Sequence, residues 1–534
     1  MILKDIKILI LLLILFVPGM MRADHITVQG EVSGLWNADT VMVMGDISVP
    51  DGEALMIAPG TVIKFQGDFH FAVNGAVEAI GEPGSMIVFT PNDTTGFSND
   101  TIPGGGWGGI RFDHNRLSNG VSEFYHCRFS YAKKVSADPA TGHGGAFYIK
   151  AWDKVNFHGC VFENNFSTYN GGAVYLDSSD VSIQHCTFTG NRCGPASAPW
   201  GYGGAVCSDN SVPDIRWNIF NGNSSTGVGG ALAVRFTDCN VYNNIFEGNV
   251  SALGGAFGFL HIPQCDNRIS NNLIVNNQSA FFGGGVANLN ASPYYINNTI
   301  IYNSSTYGGG FYCKDSVSPD FYNTVIRGNT AAVGSQGYLF EVYSQADFFY
   351  CNVEDGPGMF GGSGGGEAFF GAFESCLDTL PGFAGEGDYP YSLNPSSPMI
   401  DAGAADTAGF LLPETDLAGV TRVYNNRIDI GAYEYLPVSV PAPDIDIVTD
   451  IATVFPNPFR DEVNVKIDLI EGKKVFIEVF DMAGRRLFHS EEYCRKGNNQ
   501  FVLHLPDTPD GLLTLRLISG NGLYFFKLYR ISHR

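Results

Sequence analysis

A glycine doublet opening an apolar strand recurs seven times through the middle of the chain, and no other feature limits the fold as strongly. It stands at Gly144-Gly145, Gly171-Gly172, Gly203-Gly204, Gly229-Gly230, Gly254-Gly255, Gly284-Gly285 and Gly309-Gly310, a step of 25 to 32 residues. A second marker travels in phase: Phe162 with Asn165, Phe188 with Asn191, Phe220 with Asn223 and Phe246 with Asn249, continued more loosely by Asn277, Asn303 and Asn329. Between the markers lie short alternating runs of Val, Ile, Phe and Tyr broken by Gly, Asn, Ser and Asp, which read as strands and turns. A helix-free repeat of this length is one coil of a parallel β-helix, whose strands pair with those of the coils above and below.

An Asn at the same place in every coil has a physical reason: it tolerates a left-handed backbone, and stacked amides hydrogen-bond along the axis. Asn165, Asn191, Asn223, Asn249, Asn277, Asn303 and Asn329 are therefore read as a structural ladder, the alternative being an exposed amide row that binds sugar. Cys160 and Cys186 sit five residues before their ladder Asn, where later coils carry Asn218, Asn244, Asn272 and Asn298; Cys127 is the equivalent one coil earlier. Stacked buried thiols are the simpler reading, with a disulfide between neighbouring coils as the alternative. No Cys-x-x-Cys or close Cys/His grouping points to a metal.

The N-terminus carries Lys4 and Lys7, an apolar run from Ile8 to Val17, and then Pro18-Gly19 and Met21-Arg22-Ala23. This is the pattern of a secretory signal over 1–23, too short to span a bilayer, and no later segment resembles a membrane helix. Charge separates along the chain. The whole has a formal net charge of −23, but residues 24–450 hold 16 basic and 43 acidic side chains, a charge of −27. That excludes general nucleic-acid binding, and it argues against polyanionic partners unless a bound cation intervenes. Aromatic residues at 13% exclude a disordered chain.

The Gly-Gly-Ala and Phe-x-x-Asn pairing over 141–330 resembles the repeats of chlamydial polymorphic outer-membrane proteins and of right-handed parallel β-helix proteins generally. Pro59-Gly60-Thr61-Val62 and Gly106-Trp107-Gly108-Gly109 resemble the opening coils of secreted bacterial β-helix proteins. Asn394-Pro395-Ser396-Ser397-Pro398, leading to Asp401, Asp416, Asp429 and Glu434, resembles the segment called choice-of-anchor Q. Its carboxylates could bind a cation, but a turn role and a cover for the solenoid end fit better, since they sit beside Gly. Phe455-Pro456-Asn457-Pro458-Phe459, Phe480-Asp481-Met482-Ala483-Gly484 and the terminal Lys527-Leu528 resemble the type A C-terminal sorting domain of type IX secretion, with Leu512 where that family usually has an aromatic. The expected fold is all-β: a right-handed parallel β-helix followed by a small C-terminal β-sandwich. The divisions are a signal peptide 1–23, N-terminal coils 24–140, main repeats 141–376, an end segment 377–436, a linker 437–450 and the sorting domain 451–534. The resemblance implies engagement of the type IX machinery and a cell-surface or extracellular location.

Candidate ligand-binding residues come from the strand after each glycine doublet. Alternation turns Tyr148, Tyr175, Cys207 and Ala233 outward, and likewise Lys150, Asp177, Asp209 and Arg235. Adjacent coils are about 4.8 Å apart, so Asp177 and Asp209 become neighbours flanked by Lys150 and Arg235, with Tyr148 and Tyr175 beside them. Paired carboxylates next to a cation suit an acid–base or cation site on an acidic sugar, and tyrosines offer sugars a flat face. The insertion Arg192–Tyr202, with Pro195, Pro199 and Trp200, is expected to wall this cleft. Against catalysis, outward positions are ordinarily polar, and only eight basic residues lie in 141–330. No catalytic residue, metal or cofactor is assigned, a bound cation being left open. The first functional reading is a non-catalytic protein binding glycans or surfaces; a polysaccharide lyase or glycoside hydrolase and a passive envelope component are the alternatives.

Overall fold

A computed structural model describes residues 23–113, 119–195, 201–262, 266–436 and 451–530, apart from 456–458, 470–471, 481–485, 506–507, 509–510 and 520–521. The expected signal segment, the linker 437–450, Pro199 and Trp200, and the turn Met482–Gly484 lie outside the described residues. The chain divides into two compact units, 1–435 and 436–534.

The first unit is a parallel β-helix. Its strands form parallel sheets of 23, 13 and 8 strands, and the described residues contain no α-helix, only the 3-10 turns Pro357–Met359 and Gly366–Ala368. A typical coil visits four strand positions, as in Ser182–Gln184, Thr187–Thr189, Arg192–Cys193 and Val206–Asp209. The second and fourth positions belong to one sheet because the long strand Ala38–Val49 pairs with both Val62–Phe65 and Phe71–Val73 at the N-terminal end. Inside, Phe162, Phe188, Phe220 and Phe246 stack face to face with centroids 4.5 to 4.8 Å apart, each fully buried. The coil spacing thus equals the thickness of a stacked ring pair, which is why one aromatic per coil fills the interior without gaps.

Two devices turn the corners. The first glycine of each doublet has a left-handed backbone, with φ 63° at Gly171 and 66° at Gly203; the second, Gly172, has no room for a side chain, because a Cβ there would lie 2.1 Å from the Gly204 carbonyl of the next coil. At the last two doublets these roles fall on Gly283 and Gly308, with φ 67° and 68°, so the repeat is displaced by one residue from the doublets read at Gly284 and Gly309. The other corner holds the seven ladder asparagines, at most 3% exposed. Asn191 is typical: its backbone N–H and side-chain amide both donate to Asn223 Oδ1 (3.0 and 2.9 Å), and its Nδ2 also donates to Phe162 O. A parallel column runs Asn218, Asn244, Asn272 and Asn298 by the same bonds, with Cys127, Cys160 and Cys186 above it and Thr324 and Cys351 below. These cysteines are free and buried.

Residues 393–435 do not cover an end of the solenoid; they lie along its flank. Leu393, Met399, Leu417, Ile430 and Tyr433 bury the outward apolar stripe Leu273, Val275, Ile301 and Val325. Next to that stripe, Asn243 and Asn271 donate to the Thr415 carbonyl, and Asn297 to that of Asp429. The stripe needed covering because these strands are apolar on both faces, unlike their N-terminal equivalents. The carboxylates of the segment serve this packing. Asp416 Oδ1 accepts from the Ala418 and Val420 amides, Asp429 accepts from the Asp401 and Tyr435 amides, and Glu434 pairs with the buried Arg422 at 2.8 Å.

The second unit is an antiparallel sandwich. One sheet joins Ile451–Phe455, Glu462–Leu469 and Gly497–His504; the other joins Arg486–Cys494, Lys473–Phe480, Gly511–Ser519 and Gly522–Arg530. Alternate residues Val463, Val465 and Ile467, and Val475, Ile477 and Val479, meet Leu513, Leu515, Leu517 and Leu528 in one core.

Candidate functional site

Pairing in register brings the outward residues after each doublet into one line. Tyr148 stands opposite Tyr175, Lys150 opposite Asp177, Asp177 opposite Asp209, and Asp209 opposite Arg235. The six expected residues are therefore together, but they are not equivalent. Asp209 is 3% exposed. Arg235 donates to its two oxygens from Nε (2.6 Å) and Nη2 (2.5 Å), and the Tyr175 hydroxyl donates to Oδ2 at 2.8 Å. Burial and then the Asp209 charge drive the Tyr175 hydroxyl far above its usual pKa, which holds it in the donating form. This carboxylate is committed within the protein and cannot share a cation or a proton with Asp177. Asp177 itself is half-buried, with the exposed Lys150 ammonium 3.7 Å away.

Alternation turns a side chain outward, but it does not leave it exposed. Tyr175, Cys207, Ala233, Ala287 and Tyr312 are buried beneath a second wall, formed by the residue just before each bend glycine. That wall runs Tyr202, Val228, Leu253, Phe282, Tyr307 and Val333, each paired with the next. Parallel to the solenoid axis, between the outward column and this wall, runs a groove that is open only at its two ends and closed midway, where Val228 packs on Gly258 and Arg235 lies over Tyr202. From Arg111, through Tyr148 and Tyr175, to Tyr312 it crosses seven coil steps of about 4.8 Å, or ~34 Å.

Both ends of the groove open into clefts. The first, about 530 Å³, is lined by His70, Arg111, Asp113, Lys134, Tyr148 and Lys150. Tyr148 stacks on Tyr175 (5.7 Å, 22°), and Tyr175 is backed in turn by the His143 ring at 4.3 Å. The second, about 410 Å³, is lined by aromatics including Tyr202, Phe281, Phe282, Tyr312 and Phe340, with Lys314 and Asp315 at its rim. Phe282 stacks there on Tyr307 (5.0 Å) and Tyr312 (4.6 Å). Midway, the Arg235 guanidinium lies 4.6 Å over the Tyr202 ring, joining the ion pair to the wall. A larger cleft of about 610 Å³ lies elsewhere, where Leu411–Thr415 of the flanking segment meets the solenoid. Its arginines, Arg216 and Arg268, are already matched with Asp214 and Asp266.

Sequence reasoning missed Arg111, Lys134, Phe282, Tyr312 and Phe340, and it gave Tyr202 only as the end of the expected wall Arg192–Tyr202. A usable signal existed for two of them, since Tyr202 and Phe282 occupy one repeat position, immediately before the glycine with positive φ. Of the expected cleft wall Arg192–Tyr202, Tyr202 does line the groove.

Residues 453–529 match the family model of the secretion system C-terminal sorting domain. No curated protein matches the chain. Among the described residues no helix is long and apolar enough to cross a membrane. The sandwich unit is thus the sorting signal of type IX secretion, which takes its cargo across the outer membrane to the cell surface or extracellular space.

Proposed function

Starting from a chain exported by its type IX sorting domain, we propose that the solenoid is a non-catalytic glycan-binding protein that holds an extended saccharide along this groove. The observation that carries the reading is the aromatic lining of both ends, Tyr148 on Tyr175 and Phe282 on Tyr312, with Tyr148 and Tyr312 six coil steps apart on one face. Aromatic faces bury the apolar faces of sugar rings, and two aromatic clefts spaced along one face suit a chain in preference to a small molecule. Solenoids are suited to this because their surfaces repeat at a constant spacing. The enzymatic alternative needs two carboxylates free to exchange protons or hold a cation. Asp209 is bound on both oxygens, which leaves Asp177 alone.

A glycan array on the secreted mature protein tests the proposal. We expect binding to a defined class of oligosaccharides, lost or weakened at least tenfold by Tyr148→Ala and by Phe340→Ala, one at each end of the groove. No binding to any glycan, with an altered envelope on deletion of the gene, would favour a passive envelope component. Release of shortened products that Asp177→Asn abolishes would favour the enzyme.

A further inference from the structure

The cleft at the N-terminal end of the groove differs in charge from the rest of the solenoid. Residues 24–450 carry 43 acidic against 16 basic side chains, yet this cleft is lined by Arg111, Lys134 and Lys150, with His70 at its edge and Asp113 as its one carboxylate. Arg111 is spent on neutral partners. Nη1 donates to the carbonyls of His143 (2.9 Å) and Gly144 (2.6 Å), Nη2 donates to that of Gly108 (2.8 Å), and Nε is buried without a hydrogen bond. Carbonyl dipoles fix the orientation of the guanidinium without neutralising it. Burial pushes it down to about 10, the direction expected of a cation short of counter-charge. Burial and the neighbouring Arg111 charge also push the Lys134 ammonium below its usual range.

Three further carboxylates stand around the cleft without lining it. Asp46 accepts from the His70 amide and faces its ring at 3.0 Å, and Asp177 is 3.7 Å from Lys150 on the outer side. Asp68 is the carboxyl nearest in effect to Lys134 and Arg111, and burial holds it up to about 6. On the same cleft, the Arg111 guanidinium lies over the Tyr148 ring, its carbon 5.9 Å from the centroid, so fixed positive charge adjoins an aromatic ring.

We propose that this cleft is a subsite for an anionic substituent, a carboxylate or a sulfate ester, on a sugar whose ring rests on Tyr148. Lys134 and Lys150 would contact the anion from the two sides of the cleft, and Arg111 would supply the field behind it. The inference rests on the glycan reading and adds the class of glycan: acidic at this end, with the aromatic far end indifferent to charge.

The test is titration calorimetry on the mature protein with three probes: an oligogalacturonate, a sulfated oligosaccharide and a neutral oligogalactan. The expected result is tighter binding of one or both acidic probes, weakening as salt rises. The double variant Lys134→Ala/Lys150→Ala should lower acidic-probe affinity about tenfold or more and neutral-probe affinity by a much smaller factor. Phe340→Ala should weaken all probes that bind. Which acidic probe responds identifies carboxylate or sulfate. Equal affinity for neutral and acidic probes, or a double variant that binds them as wild type does, overturns the anionic subsite and leaves glycan binding standing. No binding by any probe, with an empty glycan array, overturns both. An unchanged circular dichroism spectrum and melting midpoint for the double variant exclude misfolding as the cause of a loss.

Discussion

Replacing Asp209 by Asn separates a structural role from a chemical one. The carboxylate is 3% exposed, and it receives two bonds from Arg235 and one from the Tyr175 hydroxyl. Removing one partner of a buried ion pair costs roughly 3–5 kcal/mol, because the remaining charge is stranded. Arg235 retains 17% side-chain exposure, so water relieves part of this and the lower end, ~3 kcal/mol, is expected. Such a loss is local in a solenoid, where each coil contacts only its neighbours. Hydrogen exchange on the mature chain should therefore show protection falling about a hundredfold in the coils bearing Tyr175, Asp209 and Arg235, with distant coils unchanged. Asp177→Asn is the control. Its partner Lys150 is exposed and 3.7 Å away, so at most ~1 kcal/mol is at stake. Equal protection in wild type and Asp209→Asn, or equal losses for the two variants, would refute a structural Asp209 and reopen the carboxylate pair as chemistry.

Other perturbations test the rest of the scaffold. Asn223→Ala removes the bonds that Asn191 makes to it and those that Asn223 makes to Phe188 O and Asn249; at ~1–3 kcal/mol per stranded buried group, it should cost several kcal/mol in chemical denaturation, whereas exposed Asn221→Ala should cost almost nothing. Burial raises the carboxyls of Asp429 to about 6 and Glu434 to about 8. The folded state then binds the extra protons, so docking of residues 393–435 should be firmest below pH ~4 and weaken as pH rises through about 6 and 8. Exchange protection of that segment that is flat over this range, or that rises, would contradict it, and Glu434→Gln should remove the upper step. Among the described cysteines Cys376 alone is half-exposed, and a hydrogen bond from Cys351 lowers its thiol. Iodoacetamide should label it first in the native protein, with Cys160 unlabelled despite its own lowered thiol, because Cys160 is buried; equal labelling would show that the coils open.

Much of the architecture is legible in the sequence because a solenoid repeats its constraints. The bend needs one glycine for its positive φ and a second for the close carbonyl of the next coil, so the doublet marks every turn. The interior takes one stacked ring per coil, which is why Phe162, Phe188, Phe220 and Phe246 keep phase. The slip to Gly283 and Gly308 arose where three glycines stand in a row, and only backbone conformation tells which one bends. The flank was not legible. Apolar residues such as Leu273, Ile301 and Val325 sit where the strand faces out, and nothing local says that a segment about a hundred residues later will cover them.

The groove failed to appear for a related reason. A period of two fixes the direction of a side chain, whereas exposure depends on what the neighbouring strand position carries, and Tyr202, Val228 and Leu253 roof the line that holds Cys207 and Ala233. Net charge, too, averages over distance. A net charge of −27 spread along the passenger argues against acidic ligands only if every charge acts at the site, but at physiological salt an exposed charge is screened beyond about 8 Å. Within that radius of the Tyr148 cleft stand Arg111, Lys134 and Lys150, with Asp113 in the lining and Asp68, Asp46 and Asp177 around it, so the field there depends on which charges line the cleft and not on the total for the chain. If the proposed anionic subsite holds, the acidic surface around it would also make binding directional: it would repel a polyanion along most of its length and leave one place for the charged residue, fixing a single register.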